Sequence, residues 1–186
     1  MLTRMRAVLV AAVLAAVWCG AARAAAPCTV TSYPGLQPKH LTDLGAKPRY
    51  NSFPPTSGPH YYLPAKWNIY TFAIPQIALV HNLEHGGIVV QYGKQVPRAT
   101  AAQIRAWYLK DSTGLVVAPL PALGAKIGLT EWNAPPYKTG AKTQDAGRGW
   151  LASCGRFDAA AFTAFVKQHR FKAGERFPPA TLKRAT

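Results

Sequence analysis

The sequence predicts an α+β fold: one compact domain with a small mixed or antiparallel sheet, two or three helices against it and an extended Pro-rich N-terminal arm. Three observations carry this reading. Short β-branched runs recur late in the chain, as "GIVVQY" (87–92), "LVVAPL" (115–120) and "KIGLTEW" (126–132), each the length of a buried strand. Two segments, 100–110 and 158–169, carry apolar residues at helical spacing. Residues 25–68 are dense in Pro, Gly, Ser and aromatics and leave no room for a long helix. A few strands with their own helices, in no repeating order, fit one sheet with helices packed on it.

In chain order, the first element is a leader. Arg4 and Arg6 precede an unbroken apolar run over 7–18, and Ala22 and Ala24 are the small residues a signal peptidase accepts. Residues 1–24 therefore read as a signal peptide, which directs the chain to the periplasm or outside the cell. The run is short for a membrane span, and an uncleaved, membrane-anchored form is the alternative. Trp18 before Cys19 argues against a lipoprotein, whose cleavage box needs a small residue there.

The arm, 25–68, contains "SYPGLQPKH" and "NSFPPTSGPHYYLP" and is expected to be turn-rich and packed by its tyrosines and Phe53. The core, 69–186, opens with Gln76 to His85, which lacks a breaker and suits a short helix ended by Gly86 and Gly87. After the first core strand, Thr100 and Gln103 have the spacing of a capping box, with Ala101, Ile104, Trp107 and Tyr108 on one face. Gly147-Arg148-Gly149 makes a loop before "WLASC", a last strand. Asp158 caps a closing helix whose apolar face runs through Phe162, Phe165 and Val166 to His169, a packing or helix-end residue rather than a ligand.

Charge and cysteines narrow the class. Arg4, Arg6 and Arg23 leave with the leader, which takes the formal net charge from +15 to +12. The basic residues are scattered, so the excess reads first as a solvating surface. An anionic envelope surface is the partner it would favour, and specific nucleic-acid binding is not expected of an exported chain. Cys28 and Cys154 survive processing, and an even count in an oxidising compartment reads as a disulfide. The rival reading, a pair of metal thiolates, lacks a CxxC pair. A bridge closing so long a loop contributes about 4–5 kcal/mol by chain entropy when unstrained.

The stretch "HNLEHGG" (81–87) is the most informative. In a helix, His81 and His85 share one face, as two imidazoles on one metal ion do. H-x-x-E-H is also the reversed zinc-protease pattern, in which the glutamate is the general base. That family needs a distant acidic ligand, and the downstream acids Asp111, Glu131, Asp145, Asp158 and Glu175 sit in no helical acidic motif. His60, presented by the turn "TSGPHY" with Gly58, is the better third ligand. Three histidines with an open position suit zinc or copper(II). Met1 and Met5 both leave with the leader, which excludes a methionine-rich copper(I) site. Without a metal, the histidines would bond backbone carbonyls, and Glu84 would accept from backbone donors or pair with Arg49.

"YNSFPPTSGPHY" (50–61), followed by "LVHNLEHGGIVVQY" (79–92) and later "IGLTEWNA", resembles the DUF3105 family of exported or membrane-anchored proteins. The family supplies no activity. The resemblance implies that His60, His81, Glu84, His85, Gly86 and Gly87 form one signature; the cysteines and basic tail lie outside it. Three functions compete: an exported metal-binding domain using His60, His81 and His85; a metal-dependent hydrolase with Glu84 as general base; and a metal-free interaction module using the "PPTSGPHYY" arm.

Overall fold

The computed structural model describes residues 26–185, and the expected leader and its cleavage point lie outside them. In chain order the elements are β1 (Cys28–Pro34), β2 (Lys39–Leu41), β3 (Pro59–Tyr61), α1 (Gln76–Glu84), β4 (Ile88–Tyr92), α2 (Arg98–Tyr108), β5 (Leu115–Pro119), β6 (Ile127–Asn133), β7 (Arg148–Cys154) and α3 (Ala159–His169). The fold is α+β. A five-stranded sheet has the order β1-β7-β6-β4-β5, and β2 and β3 form a separate two-stranded sheet. All pairs in the large sheet are antiparallel except β4 with β5, which α2 connects. A parallel pair needs such a crossover, because a hairpin turn cannot join strands running the same way.

Both faces of the sheet are covered, and the central strands alternate between two apolar clusters. Ile88, Val90, Leu115, Val117, Ile127 and Leu129 face α2 and α3, where they meet Ile104, Tyr108, Phe162 and Phe165. Val89, Val116 and Trp132 face the other way, onto Leu79, Val80 and Leu83 of α1. This is why β4 and β5 read as continuous apolar runs: a strand buried on both faces has no polar side to show. From Ile77 to Glu84, α1 is buried all round, so its sequence lacks a polar stripe. Gly86, at φ 85°, ends the helix in a conformation that side chains disfavour, and Gly87 lies so close to the Trp67 ring that a Cβ there would overlap it.

Several expectations need correction. The Thr100–Gln103 capping box is not made: α2 starts earlier, at Arg98 after Pro97, and no side chain caps it. Proline in the cap position, at φ −58°, has no side-chain acceptor to offer the N–H groups of the first turn. Phe53 does not pack the arm and is 54% exposed, whereas Tyr50 packs against the α1-side cluster. The arm is also more regular than its composition suggested, since β1 is an edge strand of the main sheet, paired along its whole length with β7.

That pairing sets Cys28 opposite Cys154, and the two form a disulfide with Cα atoms 4.0 Å apart. Asp158 caps α3 as expected, accepting from the Ala161 N–H at 2.9 Å. No helix among the described residues is long and apolar enough to cross a membrane.

Candidate metal centre

The site forms where the two short arm strands lie on α1. His40 and His60 are register partners in the parallel β2–β3 pair, so their side chains emerge together. Gly58, at φ 115°, turns the chain so that its carbonyl meets His60 Nδ1 at 2.8 Å. His81 and Glu84 sit nearly one turn apart on α1, and His81 Nδ1 lies 2.7 Å from the Tyr61 carbonyl. Asn82 clamps the following arm segment, accepting from the Ala65 N–H at 3.0 Å and donating to its carbonyl at 2.8 Å.

One ligand atom from each of His40, His60, His81 and Glu84 lies within 4.8 Å of all the others. The ring centroids stand 4.8 Å apart for His40–His60, 5.0 Å for His40–His81 and 4.7 Å for His60–His81. His60, His81 and Glu84 are buried, whereas the His40 side chain is half exposed. Glu84 Oε2 is 2.8 Å from His60 Nε2 and 3.6 Å from His40 Nε2. Its partners are these imidazoles and not Arg49.

His60 and Glu84 stand at ion-pair distance, which counts as an ion pair only when the imidazole is protonated. His60 Nε2 and Glu84 Oε2 are both fully buried and neither has a properly directed hydrogen-bond partner. Chemistry gives the reason. A carbonyl can only accept, so His60 and His81 each use Nδ1 as the donor. In the neutral rings the Nε2 lone pairs are then left on the side of the Glu84 carboxylate. A backbone carbonyl fixing one imidazole nitrogen so that the other presents its lone pair is how metal-binding histidines are held. Burial is the main cause that lowers the His81 pKa to about 4, with His60 and His85 adding to it and the Tyr61 carbonyl opposing. His81 is therefore the neutral, ligand form at neutral pH.

A second group, His81, His85 and Glu175, also has ligand atoms within 4.8 Å of one another. His85 Nε2 stands 3.0 Å from Glu175 Oε2, and the His85 ring lies against Phe177 at 4.1 Å between centroids. The hydrogen bond from His85 is the main cause holding the Glu175 carboxyl below its usual range; burial opposes it, and His85, His81 and His40 add attraction. The loop carrying Glu175 is tied back to the end of α1: Phe171, at φ 65°, donates its N–H to the Gly86 carbonyl at 2.7 Å.

The buried Tyr137 hydroxyl lies by both carboxylates without a well-directed hydrogen bond. Burial first, then Glu84 and Glu175, push its pKa up. Gly174 makes this possible, because a Cβ there would overlap the Tyr137 ring.

A polar cavity of about 240 Å³ borders both groups, lined by His40, Glu84, Tyr137 and Glu175 with Lys39 and Lys142 at its side. Larger cavities, of about 440 Å³ between α2 and α3 and about 560 Å³ along the arm, are lined without histidine. Size does not mark the site; its donor atoms do.

Of the three histidines expected to share an ion, His60 and His81 stand in the first group, and His85 in the second, joined through His81. His40, Tyr137 and Glu175 were missed as site residues. His40 carries a faint signal, since it follows a proline closely in the arm as His60 does. His169 is 2% exposed, lies in neither group and packs against Trp150 and Phe165.

Fold and site together define an α+β domain with a buried group of histidines and a glutamate that could hold a metal ion. The chain belongs to the DUF3105 family, described as a protein of unknown function, whose model matches residues 42–181. The match takes in His60, His81, Glu84, His85, Tyr137 and Glu175, and leaves out β1, Cys28 and His40. No curated protein and no solved structure matches the chain.

Proposed function

We propose that the chain is an exported metal-binding protein holding one divalent ion, zinc or copper(II), on Nε2 of His60 and His81 and the carboxylate of Glu84, with His40 closing the set from the solvent side. The observation that carries this is the His60–Glu84 pair: two buried polar atoms 2.8 Å apart with no directed hydrogen bond. Buried polar atoms are nearly always partnered, and a cation held between the two would satisfy both, as a proton shared across the pair would. The donors are nitrogen and oxygen, and the mature cysteines are consumed in a disulfide. That set suits zinc or copper(II) rather than copper(I). The disulfide also fits an oxidising compartment.

The cavity beside Glu84 favours a second reading, a metal-dependent hydrolase. There Glu84 would leave the ion and act as general base towards a small substrate in the cavity.

The test is metal content of the untagged protein, followed by titration of metal-free protein with zinc and copper(II). One ion per chain is expected. Free metal at a hundred times Kd should add about 2.7 kcal/mol of stability. His60→Ala and His81→Ala should both abolish this gain. No bound metal and no change of melting temperature with either ion would overturn the proposal.

A further inference from the structure

The two candidate ligand groups share His81, and that sharing has a chemical limit. His81 Nδ1 is committed to the Tyr61 carbonyl at 2.7 Å. Only Nε2 remains, and an imidazole nitrogen has one in-plane lone pair for one metal. The group of His40, His60, His81 and Glu84 and the group of His81, His85 and Glu175 therefore cannot both be filled.

The groups also differ in access. His60, His81 and Glu84 are at most 4% exposed and only His40, 53% exposed, brings that group to the surface, while the side chains of His85 and Glu175 are 12% and 31% exposed. Glu175 and Glu84 border the same cavity. The Tyr137 hydroxyl lies beside both carboxylates, at the boundary between the groups.

We infer that His85 and Glu175 form an outer capture position from which a single ion passes, by way of His81, to the inner position at His60 and Glu84. This rests on the metal-binding reading above and adds a route to it. The ion enters from the cavity, meets the Glu175 carboxylate and the His85 imidazole, and exchanges them for Glu84 and His60 while His81 remains bound. Such exchange keeps the ion partly coordinated throughout, so it never has to lose its whole hydration shell at once. The outer position lies on the path without being the resting place. Its residues should thus set rates in both directions and leave the equilibrium almost unchanged.

The experiment is stopped-flow transfer of zinc, from a chromophoric chelator to the metal-free chain and from the loaded chain to excess chelator. Wild type, Glu175→Gln, His85→Gln and His60→Gln are compared, each with a competition Kd. Glu175→Gln is conservative and on the surface, so it keeps the experiment decisive if His85→Gln disturbs the end of α1. Expected are one zinc per chain and, for the two outer variants, loading and release slowed by the same factor of about tenfold at nearly unchanged Kd. His60→Gln should instead raise Kd by at least about 100-fold, because it removes a ligand and not a group behind one. Two zinc ions per chain would overturn the inference, as would unchanged rates in Glu175→Gln or a Kd loss in the outer variants matching that of His60→Gln. Failure of wild type to bind zinc or copper(II) at all is the separate outcome that removes the metal-binding reading itself.

Discussion

His60 Nε2 and Glu84 Oε2 face each other across 2.8 Å in the interior, and neither is hydrogen-bonded in the proper direction. The opposite nitrogen of His60 lies 2.8 Å from the Gly58 carbonyl, which can only accept. The ring cannot flip to relieve the pair without abandoning that bond. A cation held between the two atoms would give each of them a partner.

Glu84→Gln separates binding from stability. The amide keeps the shape of the side chain and removes a buried acid that lacks its partner. Metal-free Glu84→Gln should be more stable than metal-free wild type by about 1–3 kcal/mol, the usual cost of an unsatisfied buried polar group. It should gain little or nothing from added zinc. Paired denaturant titrations, with and without zinc, measure both effects. A variant that is less stable without metal and still stabilised by zinc would place Glu84 outside the ligand set.

Two buried histidines weaken the fold on the acid side, opposed in part by the Glu131 carboxyl, which burial raises. His81 and His169 are each lowered to about 4, chiefly by burial, with Lys172 adding to it at His169. In the unfolded chain both titrate near their ordinary value of 6.5. Between those values the unfolded state binds the extra protons, so stability rises with pH and is lost as pH falls from about 6.5 towards 4. At about 1.4 kcal/mol per pH unit, each histidine accounts for about 3 kcal/mol across that window. His169→Gln should flatten the metal-free profile there by about half, as urea midpoints collected against pH would show.

Cys28–Cys154 fastens the edge strand β1 to β7. Replacing both cysteines by serine should lower stability by up to about 4–5 kcal/mol through the freed loop. The seven-residue register with β7 and the Arg148–Ser32 hydrogen bonds at 2.7 and 3.2 Å remain to hold the strand. Zinc stoichiometry should stay at one, because neither sulfur is among the candidate ligands. Loss of zinc in the double serine variant, with the fold intact by circular dichroism, would restore the thiolate reading.

The main strands and α3 were legible because their local signals agree with their tertiary setting. The runs around Val89 and Val116 are buried on both faces, and Asp158 both starts and caps its helix. β1 was hidden: its residues alternate weakly among prolines and glycines, and only pairing with β7 makes it a strand. The helical spacing of His81 and His85 was visible, and so was the turn before His60. The division into two groups was not. It depends on which ring nitrogen finds a carbonyl and on the delivery of Glu175 by the Phe171–Gly86 hydrogen bond from far along the chain. Such partners leave no periodic mark in a sequence.

Gly174→Ala tests whether the Glu175 loop matters to the site. A Cβ at this position would overlap the Tyr137 ring at Cε1, Cδ1 and Cζ, so the ring or the loop must move. The loop cannot shift freely, because the Gly174 carbonyl accepts from the Tyr137 N–H at 3.0 Å. Overpacking of this kind costs about 1–3 kcal/mol. It should also displace the neighbouring Glu175 from His85, and so slow zinc loading as Glu175→Gln does. Gly155→Ala is the control: a Cβ there meets nothing within 4 Å, and stability should stay within about 0.5 kcal/mol. Thermal melts and zinc-loading rates of both variants decide the matter. Wild-type loading in a destabilised Gly174→Ala would show that the Tyr137 contact is structural and that the loop does not guide the ion.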